Sequence, residues 1–179
     1  MKKQKGFSLI ELLIVVAIIL IIAAIAIPNL LRSKIAANES SAVGSVRTIG
    51  TAEVTYSSSW GSGFSAGLRQ LGGAAPCITA TAGAACLIDP LLSSAAATKS
   101  GYTFNALGTF PDVSVPPILN GFEVNATPVT YQTTGVRAFC DDQTGVIKFN
   151  VNGAAAIGVA QGTCAALPTV AGTSGPVGN

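Results

Sequence analysis

Apolar positions are spread unevenly along the chain, and their spacing changes three times. From Phe7 to Leu31 nearly every residue is apolar and Glu11 is the one charge. At ~1.5 Å rise per residue this segment exceeds the ~30 Å thickness of a bilayer's hydrocarbon core. It is apolar on all sides, as a lipid-embedded or deeply buried helix is. Arg32 and Lys34 mark its outer end. Beyond them Ile35, Ala42, Val46, Ile49, Ala52 and Tyr56 recur at helical spacing, while Arg32, Glu39, Arg47 and Glu53 are expected on the other side. This predicts an amphipathic continuation of the same helix, from about Phe7 to about Ser57. Ser57-Ser58-Ser59 and Gly61-Ser62-Gly63 then stop it.

From Trp60 to about Thr98 the spacing suggests a connecting loop with short helical pieces, anchored by Leu68, Leu71, Leu87, Leu91 and Leu92. Period-two alternation follows in Tyr102, Phe104 and Ala106, and again in Phe122, Val124 and Ala126, with Glu123 and Asn125 between them. Two further runs, Val136 to Cys140 and Val146 to Val151, flank Asp141-Asp142-Gln143-Thr144-Gly145 and read as a hairpin. The expectation is an α+β fold: a long N-terminal helix whose apolar stripe covers one face of a four-stranded antiparallel sheet. From Gly153 the chain is rich in Gly, Ala, Pro and Thr and is expected to be mostly irregular.

Composition narrows the functional classes. The 179 residues contain no histidine, which removes the commonest general base and metal ligand. No nucleophile–base constellation stands in its place, so no enzymatic activity and no cofactor is expected. Ten basic and eight acidic residues give a net charge of +2, and three of the basic ones, Lys2, Lys3 and Lys5, precede Phe7. No nucleic-acid footprint is present. The leading lysines favour a cytoplasmic N-terminus. Cys77, Cys86, Cys140 and Cys164 form an even set outside the apolar segment, which points to two disulfides and an oxidising compartment.

Two residues set the N-terminal segment apart from a plain signal or anchor. A secretory signal carries a small-residue cleavage site after its apolar stretch. Here a glutamate, Glu11, heads the stretch instead. A membrane anchor has no use for a carboxylate, which is costly in lipid. If the chain is cut before Phe7, a new α-amino group lies one helical turn from Glu11 and gives that carboxylate a partner, on its own chain or a neighbour's. Pro28 cannot donate to the carbonyl of Ala24, and it disturbs the helix locally.

Gly6-Phe7-Ser8-Leu9-Ile10-Glu11, the apolar run that follows and Ala23 to Asn29 closely resemble the N-terminus of type IV pilins and of type II secretion pseudopilins. The resemblance covers roughly the first 35 residues. It implies a leader, residues 1–6, removed by a prepilin peptidase between Gly6 and Phe7, and N-methylation of Phe7. It implies a helical segment, 7–57, of which 7–31 is the membrane span and filament core and 32–57 is amphipathic, followed by a head domain, 58–179. Glu11 then neutralises the Phe7 amine of an adjacent subunit during assembly, and the helix around Pro28 loses regular structure in the filament. Many relatives have glycine where Leu20 stands, and leucine holds helix better. The function implied is that of a structural pilin, a self-polymerising subunit. It is built at an inner-membrane assembly platform from a single-pass precursor and exported as an extracellular filament. The alternative is a pseudopilin of a short periplasmic pseudopilus.

Four cysteines allow three pairings. Cys77 with Cys86 is the simplest local pair, and pilins commonly close their C-terminal region with a bridge such as Cys140–Cys164. Asp141 and Asp142 are candidate calcium ligands by analogy with pseudopilins, but adjacent acids in a turn are more often turn formers. Phe7 and Tyr56 are the aromatic residues of the expected helix, too far apart for a stacked path along it.

Overall fold

A computed structural model describes residues 7–73 and 76–178. The leader, including Gly6, lies outside the described residues. The fold is α+β, with one long helix, two one-turn helices and an antiparallel sheet among the described residues. Helix α1 runs Leu9–Trp60, 52 residues, and remains helical through Pro28. It stops where Gly61 takes a positive φ of 62° and donates its N–H to the Ser57 carbonyl, a left-handed cap that suits glycine. By its internal contacts the chain divides into two units, residues 1–34 and 35–179.

In the second unit, Glu39, Ala42, Val46, Ile49, Glu53 and Tyr56 of α1 are all buried. Their alternating steps of three and four residues trace one helical stripe. Two of the six are glutamates, which the apolar pattern assigns to the solvent side. Charge masks the periodicity: Glu39 and Glu53 each lie seven residues from Val46, on its own line down the helix. Ile35 is only half-buried.

The connecting segment contains α2, Leu68–Leu71, and α3, Pro90–Ser93. Asp89 caps α3 by accepting the Leu91 N–H, and Pro90 occupies the first turn, where a missing N–H costs nothing. Leu68, Leu71 and Leu92 are buried as anchors, but Leu91 is 58% exposed. Adjacent residues on one helical turn point ~100° apart, so Leu91 and Leu92 cannot both face the core.

Among the described residues the sheet has six strands rather than four: β1 Thr98–Lys99, β2 Tyr102–Pro111, β3 Leu119–Pro128, β4 Ala138–Asp142, β5 Lys148–Asn150 and β6 Ser174–Pro176. Each pairs antiparallel with its sequence neighbours. The two additional strands are the outermost, and both are too short for an alternating pattern. The β6 sequence, Ser-Gly-Pro, reads as a turn.

On one face Tyr102, Phe104, Ala106, Phe122, Val124, Ala126 and Phe139 join the α1 stripe in a single hydrophobic cluster. The other face of β3 is also covered. Glu123 and Asn125, solvent positions by alternation, are buried under the C-terminal segment. The Cys164 N–H donates to Glu123 Oε2 at 3.0 Å, and Asn125 Nδ2 donates to the Gly158 carbonyl at 3.0 Å. The covering segment is tied to β4 by the Cys140–Cys164 disulfide, while Cys77 is bonded to Cys86. Asp141 and Asp142 end β4 instead of lying in the loop. The turn after them closes as the Gly145 N–H donates to the Asp142 carbonyl and the Thr144 N–H to Asp142 Oδ1.

Candidate functional site

The first unit is dominated by apolar surface. The large apolar side chains from Phe7 to Leu31 are all exposed, Phe7 itself at 76%. By length and composition α1 includes a stretch able to cross a membrane. The helix begins just after Ser8, whose backbone N–H donates to Glu11 Oε2 at 2.8 Å. A carboxylate at the third helical position reaching back to the capping residue is one half of a capping box. It also places negative charge where the helix dipole favours it. In this chain the Phe7 nitrogen is a backbone amide. Farther along, Ser33 Oγ donates to the Asn29 carbonyl at 3.0 Å, one turn from Pro28.

Among its described residues the second unit holds five buried acids. Glu39 accepts the Val136 and Arg137 N–H groups at 2.9 and 3.0 Å and pairs with the Arg137 guanidinium at 2.7 Å. Glu53 accepts the Ser65 N–H at 2.8 Å and the Ser65 hydroxyl at 2.7 Å. Among the described residues no cation pairs with it, and burial pushes its carboxyl up to about 7 in spite of those bonds. Burial likewise raises Asp141 to about 6 and raises Glu123. Burial, then the nearby Glu39 charge, pushes the Tyr102 hydroxyl well above its ordinary range, and that hydroxyl donates to the Arg137 carbonyl.

The two acids singled out as a candidate calcium pair are not brought together. Consecutive residues of a strand face opposite ways. Asp141 packs against Gly50 of α1, where an added Cβ would fall 2.6 Å from Asp141 Oδ2. Asp142 lies opposite Glu123 across the β3–β4 ladder, on the other face. Among the described residues no three Asp, Glu, Cys or His side chains gather as a metal cluster. Sequence reasoning missed the burial of Glu39, Glu53 and Glu123, although the heptad spacing of the first two around Val46 was readable. Tyr56 stacks on Trp60 at 5.1 Å, an aromatic pair confined to the last turn of α1.

Residues 1–27 match the family described as the prokaryotic N-terminal methylation motif. The N-terminal segment is therefore similar to that motif, over 27 of the 179 residues. More particularly, it is similar to two type IV pilus proteins. One is the type IV wide pilus major component PilA4 of Thermus thermophilus, 62% identical over 39 residues, 22% of this chain and 30% of the relative. The other is the type IV major pilin protein PilA of Myxococcus xanthus, 45% identical over 54 residues, 30% of this chain and 24% of the relative. The match thus spans less than a third of either relative's length. No solved structure matches the chain.

Proposed function

We propose that this chain is a pilin, the structural subunit of an extracellular type IV filament. A prepilin peptidase cuts between Gly6 and Phe7 and the new Phe7 amine is methylated. The subunit waits in the inner membrane, N-terminus inward, until an assembly platform draws it into the filament. One observation carries the reading: a methylation-motif segment in which an exposed apolar helix surface from Phe7 to Leu31 is interrupted only by Glu11 among charged residues. Such a surface is stable in lipid or against identical helices, and the transfer between them costs little because both are dry. Both relatives are named as pilus components, which favours a pilus over a type II pseudopilus.

Cleavage would change the role of Glu11. Its bond to the Ser8 N–H holds the carboxylate at the helix entrance, facing the point where a charged amine would appear. An amine of the neighbouring subunit then has one register in which this carboxylate, buried once the helices bundle, is paired, and every other stagger leaves a charge uncompensated. The test is to shear filaments from the cell surface and sequence the subunit by mass spectrometry. The expected product begins at Phe7 with one added methyl group. Glu11→Ala is expected to insert normally in the membrane and to lose filaments. A surface filament built from subunits that keep residues 1–6 would overturn the reading.

A further inference from the structure

We propose a pH-sensitive latch on the outer face of the sheet: Glu123 is a neutral carboxylic acid whose Oε1–H faces Asp142 Oδ2, and this proton keeps the segment around Cys164 closed over β3. The latch does not depend on the filament reading. Glu123 of β3 and Asp142 of β4 are directly opposed in register, which sets their Cβ atoms about 5 Å apart on one face. Both are 1% exposed. Each uses one carboxyl oxygen on donors nearby: Glu123 Oε2 accepts from the Cys164 N–H and the Thr163 hydroxyl, and Asp142 Oδ1 accepts the Thr144 N–H. The other oxygens, Glu123 Oε1 and Asp142 Oδ2, are buried with no hydrogen-bond partner among the described residues. Two acceptors cannot satisfy each other. A single proton on Glu123 Oε1 turns it into a donor to Asp142 Oδ2 and accounts for both atoms.

The surrounding elements bring no cation to do the same work. Across from Glu123 on β2 is Leu107, and β2 carries no charged residue. Lys99 of β1 is paired with Asp89. Lys148 of β5 lies opposite Cys140 on the outer face, and its Nζ donates to the Ala165 carbonyl at 2.7 Å. Arg47 of α1 acts on Asp141, which faces the other way. The turn from Gln143 to Ile147 and the whole covering chain from Phe149 to Asn179 contain no charged side chain. Ionising Glu123 here would set two like charges opposite each other in a buried face. Burial raises the Glu123 carboxyl, the Cys164 N–H and Thr163 hydroxyl draw it down, and the Asp142 charge pushes it up again, so that the net direction is upward.

The covering segment rests directly on this pair. Besides the Cys164 and Thr163 bonds, Gly158 packs so closely that a Cβ there would fall 3.2 Å from Glu123 Oε2 and 2.7 Å from Cys140 Cβ. Its positive φ of 65° suits glycine as well. Loss of the proton to water leaves two facing carboxylates under this segment, and their repulsion is relieved by letting water in. The Cys140–Cys164 bridge limits the result to a hinged local opening of the segment. Because the folded carboxyl lies above 4.5, the latch is fully closed below pH 4.5 and is lost as the pH rises through the raised value.

The test is amide hydrogen exchange, read by mass spectrometry on the full chain in detergent micelles at pH 4 and pH 8 with chelator present. Protection of residues 157–166 is divided by that of residues 102–109 in the same molecule, which cancels the intrinsic pH dependence of exchange. The wild-type ratio is expected to fall about tenfold or more between the two pH values. Glu123→Gln keeps both contacts, its amide oxygen accepting the Cys164 N–H and its amide nitrogen donating to Asp142 Oδ2, and should hold the ratio high at both. Glu53→Gln, on the helix side of the sheet, should leave the fall unchanged. If Glu123→Gln does not fold, Asp142→Asn decides: its amide nitrogen donates to an ionised Glu123, so the fall should vanish there too. A wild-type ratio that is the same at both pH values, or a fall that persists in Glu123→Gln or Asp142→Asn, would overturn the proposal.

Discussion

Glu53 is the residue whose titration most directly reports the packing of the C-terminal part of α1 within the second unit. Its carboxylate is completely buried, its partners are the neutral N–H and hydroxyl of Ser65, and its carboxyl is held at about 7 instead of 4.5. Between those two values the folded chain holds a proton that the unfolded chain has released, so stability falls as pH rises. The contribution is fully present below pH 4.5 and is gone once the pH has passed through 7. The difference corresponds to about 3 kcal/mol. Glu53→Gln removes the titration and retains both contacts, since the amide oxygen accepts the Ser65 N–H and the amide nitrogen donates to the Ser65 hydroxyl. The variant should match wild type at pH 4 and exceed it at pH 8 by about 3 kcal/mol, or about 10 °C in Tm for a domain of this size. Trp60, the single tryptophan, reports the transition, because it stacks on Tyr56 one turn beyond Glu53. Asp141 and Glu123 titrate in both proteins and cancel in the difference. An equal gap at pH 4 and pH 8 would refute the assignment.

Other perturbations follow from the same contacts. Glu39→Leu strands the Val136 and Arg137 N–H groups and unpairs the Arg137 guanidinium, and should cost about 3 kcal/mol in urea unfolding. Replacing Cys140 and Cys164 together by Ser should cost about 3 kcal/mol and speed proteolytic cleavage within residues 153–178, which the bridge fastens over Glu123. Gly50→Ala drives a methyl group into Asp141 Oδ2 and should destabilise by about 2 kcal/mol, with the loss seen in Tm.

The parts of the fold with a sustained period are legible in the order of residues. The nearly unbroken apolar run from Phe7 to Leu31 announces the first segment, and alternation in Tyr102–Ala106 and Phe122–Ala126 announces the two long central strands. What stays hidden is set by contacts distant in sequence. Nothing local reveals that the segment around Cys164 folds over β3, so Glu123 and Asn125 read as solvent positions. Two-residue β1 and three-residue β6 carry no period and exist only because a neighbour completes their ladder. The chemistry divides in the same way. Phe7, Glu11 and Pro28 stand out as local exceptions in or beside an apolar run. The Glu123–Asp142 opposition depends on strand register, which the hairpin pattern does not fix across β3 and β4.

The outermost strands have a bearing on crowding. Subunits stacked side by side would hold their sheets at concentrations where an open strand recruits another and fuses the domains irreversibly. Here β1 offers two residues, one of them a lysine tethered to Asp89, and β6 ends in a proline that has no N–H to lend. In the filament proposed above, domains so terminated would pack densely without zipping together, leaving cohesion to the helices and keeping it reversible.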